Sequence, residues 1–127
     1  MEIKTHKIGQ SSEDYLETIL ELEKKGKVRS VDIARAMNVS KPSVNKAMNV
    51  LKDMNYITQE DYGDVRLTDN GRKLAESILE RHHLLAAFFK DVLKISEEVA
   101  ESDACKVEHV ISEETLFKIK EFMNKWL

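Results

Sequence analysis

Three residues in the last quarter of the chain could bind a divalent metal ion together. They are Cys105, Glu108 and His109, in a Cys-x-x-Glu-His run. At helical spacing, positions i, i+3 and i+4 share one face, so a thiolate, a carboxylate and an imidazole would point the same way. All three side-chain types bind transition metals in proteins. The run therefore predicts half of a metal site; the alternative is a buried free cysteine beside a Glu-His pair that occurs by chance.

Two other parts of the chain could supply further ligands. Asp14 and Glu17 lie three residues apart near the start of a predicted helix, so their carboxylates share a face. His82 is in an Arg-His-His run late in a long predicted helix. Each feature also has an ordinary explanation. Acidic residues in a first helical turn complement the helix dipole, and a lone histidine beside leucines is more often a partnered surface or core residue than a ligand.

Apolar periodicity and capping residues predict six helices that would position these side chains. We expect the first to run to about residue 25 with Ser11 or Ser12 as its cap, and the second from 31 to 37 with Ser30 as its cap. The third would start at Ser40 or Lys41, and the fourth would run from Asp69 or Asn70 to about Leu93. The last two would be capped by Ser96 and Ser112. Residues 56–60 and 65–68 have strand composition and flank a turn that contains glycine, which predicts a β-hairpin. The expected fold is mainly α.

Helix, short turn, helix and hairpin is the order of a winged helix-turn-helix, in which the second helix enters the major groove of DNA. The core beneath that helix would include Val31, Val39, Val44, Met48, Leu51 and Met54. The residues that would face DNA are Ser40, Lys41, Pro42, Ser43, Asn45 and Lys46 at the start of the third helix, with Tyr62 and Arg66 in the hairpin. Hydroxyls and helix-end amides suit phosphates, whereas Asn45 and Lys46 could reach base edges.

The charge distribution separates two parts of the chain, although the net charge of its 127 residues is only −3. Residues 27–56 contain six cations and two anions, whereas residues 76–127 contain seven cations and eleven anions. This pattern is typical of a protein in which one part faces phosphates and another binds cations, although solvated helix surfaces could also produce it. No stretch reaches the about 18 apolar residues of a membrane span. With one cysteine and no apolar signal-peptide core, we expect a cytoplasmic protein without membrane partners.

Together these motifs resemble a known family. Ser-Glu-Asp-Tyr-Leu-Glu-Thr-Ile (12–19), the winged helix, Arg-His with Leu-Leu soon after (81–85) and Cys-x-x-Glu-His-Val-Ile-Ser (105–112) are similar to the diphtheria toxin repressor/manganese transport regulator family. The resemblance covers about residues 11–127 and implies a metal-activated, homodimeric repressor that binds a palindromic operator in double-stranded DNA and no small organic substrate. It implies a DNA-binding domain over 1–73 and a helical metal-binding and dimerisation domain over 74–127. Matched residue by residue, it implies the ligands Asp14, Glu17, His82, Cys105, Glu108 and His109.

The predicted ligand set is a hybrid of two branches of that family. Asp14 resembles the manganese-sensing branch, whereas Cys105 resembles the iron-sensing branch. Hard oxygen ligands favour Mn²⁺ and a thiolate favours softer or later ions, so we expect Mn²⁺ or Fe²⁺, with Co²⁺ or Zn²⁺ also able to bind. The iron-sensing branch has a second site formed by His, Glu and His. His82 matches it, but Ala86 and Glu101 stand at its other two positions, which makes Glu101 a further candidate ligand.

The last two predicted helices carry more apolar residues than two short helices can bury against each other, which predicts a dimer surface. Its candidates are Val99, Val107, Val110, Ile111, Leu116, Phe117, Ile119, Phe122, Met123 and Trp126. Three other functions fit parts of the pattern: a metal-independent winged-helix regulator, a winged helix that binds only protein, and a small metalloenzyme. The enzyme is disfavoured because the short chain has no Gly-rich loop and no nucleophile–base constellation.

Overall fold

The computed structural model describes residues 9–60 and 63–126, which divide into two compact units, 9–76 and 77–126. The described helices are α1 (Gln10–Glu23), α2 (Ser30–Met37), α3 (Lys41–Asp53), α4 (Asp69–Ala87), α5 (Glu97–Val107) and α6 (Glu113–Trp126). Strands β1 (Ile57–Gln59) and β2 (Val65–Leu67) form an antiparallel hairpin between α3 and α4. The predicted element order and the mainly α fold class are therefore confirmed. Within the described ranges, no helix has the length and apolar character needed to cross a bilayer.

The turn between α2 and α3 is built from residues with strong local preferences. Asn38 ends α2 in the left-handed conformation, with a φ of 54°, which asparagine adopts more readily than most residues. Ser40 caps α3, and its hydroxyl oxygen accepts a hydrogen bond from the Ser43 amide at 3.3 Å. Pro42 lies in the first helical turn, where its missing N–H costs no hydrogen bond. These choices produce a sharp helix–turn–helix.

In the unit formed by residues 9–76, α1 packs against α2, α3 and β2, and α3 packs against β1. The buried apolar residues of this unit are Tyr15, Leu16, Ile19, Leu20, Val28, Ile33, Val44, Met48, Leu51, Ile57, Val65, Leu74 and Ala75. In the hairpin, Ile57 pairs with Leu67 and Gln59 with Val65. The Val65 amide also donates to the Val28 carbonyl at 2.8 Å, which attaches the hairpin to the segment between α1 and α2.

Two predicted helix caps and three predicted core residues are wrong. Gly9, rather than Ser11 or Ser12, is the N-cap of α1. Ser30 is the first residue of α2, and its hydroxyl accepts a hydrogen bond from the Gln59 side-chain amide instead of capping the helix. The Asp32 carboxylate accepts from the Arg29 amide at the start of α2. Val31, Val39 and Met54 are exposed, because they lie at or beyond helix ends, outside the buried stripes.

The start of α4 comes very close to the residue that precedes the hairpin. The Thr68 hydroxyl donates to the Asn55 carbonyl at 2.7 Å and accepts from the Gly71 amide at 3.0 Å. A Cβ atom at position 71 would lie 1.9 Å from the Tyr56 carbonyl oxygen, so only glycine fits there. The end of α4 differs from the prediction: the α-helix stops at Ala87 and continues as a π-helical turn, Phe88–Val92.

The unit formed by residues 77–126 has a core of its own. Leu85 and Ala86 of α4 pack with Ala104 of α5 and Leu116 of α6, surrounded by Leu84, Phe89, Val107, Ile111 and Ile119. The predicted caps of α5 and α6 are confirmed, because the Ser96 hydroxyl accepts from the Val99 amide and the Ser112 hydroxyl from the Thr115 amide.

The predicted dimer-surface residues divide into buried and exposed groups. Leu116 and Met123 are buried within the chain, so they are not part of an exposed surface. Val99, Val110 and Phe122 are exposed. Val107, Phe117, Ile111 and Ile119 are half-buried, and the Trp126 side chain lies outside the described part of the structure. The apolar surface that remains for a partner is therefore smaller than the sequence pattern predicts.

Candidate functional site

A carboxylate faces each ring nitrogen of His82. The Nε2 atom lies 2.5 Å from Glu101 Oε2, on α5, and the Nδ1 atom lies 3.4 Å from Glu108 Oε1, just beyond α5. The His82 side chain is only 16% exposed. These contacts join the carboxyl-terminal part of α4 to both ends of the segment between Glu101 and Glu108, within one compact unit.

Glu108 is a fully buried carboxyl group with two imidazoles beside it. Its Oε1 atom is 3.4 Å from His82 Nδ1 and 3.9 Å from His109 Nε2. The side chain of His109 is also almost completely buried. Removing a carboxylate from water is unfavourable unless hydrogen bonds or a cation compensate for the lost hydration. Two imidazole nitrogens beside a buried carboxylate oxygen are a donor set that suits a divalent transition metal.

The local backbone explains why Glu108 points inward. Glu108 follows the last residue of α5 with helical φ and ψ values of −57° and −24°, and its amide donates to the Ala104 carbonyl at 3.0 Å. It therefore continues the buried face that contains Ala104 and Ala100, about one and two helical turns earlier. The chain then turns, because the amides of Val110 and Ile111 both donate to the Val107 carbonyl.

Cys105 differs from Glu108 and His109 in its exposure. It lies in the last turn of α5, and it is exposed, whereas the Glu108 and His109 side chains are buried. A single helical face over the Cys-x-x-Glu-His run was expected, but the α-helix ends at Val107 and His109 lies in the following turn. A metal-ligand role for Cys105 stays a prediction.

The surroundings of His82 Nδ1 fit a metal site. His82 Nδ1 is buried and has no hydrogen-bond partner in the part of the chain that the structure describes. Neighbouring ligand atoms around an ion with bonds of about 2.1 Å lie roughly 3 Å apart. The 3.4 Å separation of His82 Nδ1 and Glu108 Oε1 is close to that value. A buried ring nitrogen without a hydrogen-bond partner among the described residues, beside a carboxylate oxygen, therefore fits a divalent cation.

The other candidate ligands lie on α1 and α5. Asp14 and Glu17 are half-buried on α1, three residues apart, in the unit formed by residues 9–76. Glu101 is more exposed and contacts His82. Ala86, at the position where the iron-sensing branch has a glutamate, is buried in the core and offers no ligand atom. The roles of Asp14, Glu17 and Glu101 as ligands stay predictions.

The α3 helix presents one apolar and one polar face, as predicted for a recognition helix. Val44, Met48 and Leu51 are buried on the inner face. All the predicted DNA-contacting residues of this region are exposed: Ser40, Lys41, Pro42, Ser43, Asn45 and Lys46. Among the described residues, neither Lys41 nor Lys46 forms an ion pair. Both ammonium groups are thus available for phosphates or bases.

The hairpin adds a second cationic region. Arg66 on β2 is exposed, and its Nη2 atom lies 3.8 Å from Asp64 Oδ2. Lys27, which precedes the buried Val28, lies 3.9 Å from the same oxygen. Sequence reasoning did not select Lys27, because the pairing of Val28 with Val65 that brings it beside the hairpin leaves no local signal. Tyr62, the other predicted contact of the hairpin, lies outside the described residues.

Comparison with known proteins decides the family. Residues 7–65 match the model of the iron dependent repressor N-terminal DNA binding domain, and residues 68–126 match that of the iron dependent repressor metal binding and dimerisation domain. The chain belongs to the iron-dependent repressor family. This result confirms the resemblance seen in the sequence, because that family includes the diphtheria toxin repressor and manganese transport regulator type of protein.

Individual relatives agree with this assignment. An HTH-type transcriptional regulator of Methanocaldococcus jannaschii is 32% identical over 121 residues, which cover 94% of this chain and 97% of the relative. The transcriptional regulator MntR of Escherichia coli O157:H7 is 40% identical over 114 residues, covering 89% and 73%. The structure of the manganese regulator SloR superposes with a TM-score of 0.77 at 29% identity, over 89% of this chain and 53% of that chain.

The chain thus spans about half the length of the solved SloR chain. The two family models and the relatives named above are transcriptional regulators or their domains, which confirms the expected metal-dependent transcriptional regulator and disfavours the small metalloenzyme. The matched descriptions also support DNA and a second subunit as partners.

Proposed function

We propose that this iron-dependent repressor family member represses metal-uptake genes in the cytoplasm, with Mn²⁺ or Fe²⁺ as its co-repressor. The observation that carries the proposal is the buried Glu108 carboxylate with His82 Nδ1 and His109 Nε2 within 3.4 and 3.9 Å of one oxygen. Manganese is favoured by oxygen ligands, and iron is favoured if the Cys105 thiolate binds. SloR, a similar protein, is described as a manganese regulator.

The proposed ligands come from both compact units. His82, Glu108 and His109 would bind through the buried cluster, and Cys105 would bind from the end of α5. Asp14 and Glu17 would add two carboxylates from α1, as the resemblance implies. A bound divalent cation would supply the positive charge that offsets these carboxylates. The proposal is supported by the three-residue spacing of Asp14 and Glu17 and by the buried His82 Nδ1 atom, which has no hydrogen-bond partner among the described residues.

A metal ion bound by ligands from both units would control DNA binding by fixing the separation of the two α3 helices in a dimer. Without a cation, the carboxylates of Asp14, Glu17 and Glu108 would repel one another if they approached. With all of them ligating, α1 would be held to the dimerisation domain, which we place over residues 74–127. In a two-fold dimer the separation of the two α3 helices would then match half-sites about one helical turn apart in a palindromic operator. The exposed Val99, Val110 and Phe122 are candidates for the dimer contact.

The test is operator binding as a function of metal, under anaerobic conditions so that Cys105 stays reduced. We expect His82→Ala and Glu108→Gln to abolish the increase in operator affinity that Mn²⁺ or Fe²⁺ produces in the wild type. Glu98→Gln, on the exposed part of α5, is the control with the same change of charge as Glu108→Gln. Circular dichroism would show that the variants remain folded.

Two results would contradict the proposal. Unchanged metal dependence in both variants would remove the buried cluster from the metal site. Operator affinity that is the same with and without metal in the wild type would instead favour a metal-independent winged-helix regulator.

A further inference from the structure

We propose that Glu101 is a positioning residue for His82 and not a ligand of a second cation. It holds the His82 ring in the tautomer with hydrogen on Nε2, so that the Nδ1 lone pair is available to a metal ion beside Glu108. This inference rests on the proposed metal-binding function and deepens it.

The contacts of the two ring nitrogens favour hydrogen on Nε2. Glu101 Oε2 lies 2.5 Å from His82 Nε2, within hydrogen-bond distance, and a carboxylate only accepts hydrogen bonds. The Nε2 atom is therefore the donor. His82 Nδ1, in contrast, has no hydrogen-bond partner among the described residues. In a neutral imidazole one nitrogen carries hydrogen and the other carries a lone pair, so a neutral His82 ring with hydrogen on Nε2 would direct its Nδ1 lone pair toward Glu108.

The same distance favours a direct hydrogen bond between His82 Nε2 and Glu101 over a shared metal ion. Two atoms that share a transition metal with bonds of about 2.1 Å are separated by roughly 3 Å or more. The 2.5 Å contact is too short for that arrangement and suits a direct charge-assisted hydrogen bond. Ala86 occupies the remaining position of the second site in the family pattern, and its methyl group offers no atom that could bind a metal ion. With a metal ion bound at Nδ1, the order would be carboxylate, imidazole and metal, an arrangement in which the outer carboxylate orients the ring.

The position of Glu101 explains why it can act in this way. It lies on α5 one residue after the buried Ala100, which packs inside the unit formed by residues 77–126. Its carboxylate is 55% exposed and so remains hydrated, while the His82 ring that it contacts is only 16% exposed. An exposed carboxylate can orient a buried imidazole ring, but it is less suited to being one of the ligands that enclose a metal ion.

The first experiment measures the tautomer directly in the full-length, metal-free protein. Long-range proton–nitrogen NMR spectra of the histidine rings distinguish a nitrogen with hydrogen from one with a lone pair. We expect His82 to have hydrogen on Nε2 in the wild type and in Glu101→Gln, because the amide oxygen can still accept. In Glu101→Ala we expect a mixture of tautomers. Hydrogen on Nδ1 alone, or on both nitrogens, in the wild type at pH 8 would overturn the proposal.

The second experiment measures Mn²⁺ binding by calorimetry. We expect Glu101→Ala to lower the affinity by about tenfold to a hundredfold, the usual effect of removing an outer partner of a ligating histidine, with Glu101→Gln in between. The number of ions bound per chain should not change. Glu98→Gln is the control on the same helix.

Three outcomes would overturn the positioning role: unchanged affinity in Glu101→Ala, loss of one bound ion per chain in that variant, or no recovery in Glu101→Gln. Failure of the proposed function itself would be distinguishable, since the wild type would then bind no Mn²⁺ while the tautomer of His82 could still be measured.

Discussion

Arg66 and Asp64 form an ion pair at the hairpin, with Arg66 Nη2 3.8 Å from Asp64 Oδ2. The side chain of Asp64 is only 17% exposed, whereas that of Arg66 is 72% exposed. Lys27 approaches the same carboxylate oxygen. One partly buried anion thus offsets two exposed cations on the surface that is predicted to face DNA. Asp64 therefore lowers the positive electrostatic potential of the hairpin, which should lower its affinity for DNA.

Replacing Asp64 with asparagine should strengthen DNA binding. Asp64→Asn removes the anion and keeps the shape, so Lys27 and Arg66 would interact with phosphates at their full charge. Because exposed ion pairs contribute little energy, we expect a gain of about twofold to fivefold at low salt, decreasing as salt is added. Gel-shift titrations at several salt concentrations would measure it. Glu121→Gln on α6 gives the same change in net charge and should have little effect; a loss of affinity in Asp64→Asn would contradict the prediction.

Lys46 should affect DNA binding without affecting metal binding. It is exposed near the start of α3 and forms no ion pair among the described residues. Removing a cation that contacts phosphate or a base edge should lower operator affinity by roughly tenfold and reduce the salt dependence. Fluorescence anisotropy with labelled operator would measure the change in Lys46→Ala, with Lys118→Ala on α6 as the control. A large loss of Mn²⁺ affinity in calorimetry of Lys46→Ala would contradict this separation of roles.

Gly71 should be essential for the stability of the winged helix. In Gly71→Ala the new methyl group would meet the Tyr56 carbonyl oxygen at 1.9 Å, so the start of α4 must move away from the hairpin. We expect the free energy of unfolding to fall by about 1–3 kcal/mol, the usual cost of overpacking. Urea denaturation would measure it. Asn70→Ala, at an exposed position of the same turn, should change stability by less than about 0.5 kcal/mol; equal stabilities of the two variants would count against the close approach.

Cys105 should determine the relative affinities of the protein for different metal ions. If the exposed thiolate binds, Cys105→Ser should weaken Co²⁺ and Zn²⁺ binding more than Mn²⁺ binding, because softer ions gain more from sulfur. It should also remove the sulfur-to-cobalt charge-transfer absorption. Anaerobic titrations followed by absorption spectroscopy would measure both effects, with Mn²⁺ as the internal comparison. Identical Co²⁺ spectra in the wild type and the variant would exclude the thiolate from the ligands.

Local patterns in the sequence were enough to predict most elements. The caps Ser96 and Ser112 were correctly predicted, because each hydroxyl accepts a hydrogen bond from the amide three residues later. The inner face of α3 was predicted from Val44, Met48 and Leu51, since residues three or four apart share one face of a helix. The fold class and the family followed from the order of these local signals along the chain.

The features that local spacing could not predict depend on contacts between distant segments. Ser30 was predicted to cap α2, but Gln59, 29 residues away, binds its hydroxyl. Leu116 has the apolar character of an interface residue, but the structure buries it in the core beside Ala104.

The contact that organises the candidate metal centre is also long-range. Glu101 and His82 are 19 residues apart, and only the packing of α5 near the end of α4 reveals that Glu101 contacts the ring nitrogen. Sequence determined which side chains could bind a metal, because ligand chemistry belongs to the residue type. Tertiary structure decided which ring nitrogen faces a buried carboxylate, because that depends on how separate helices pack.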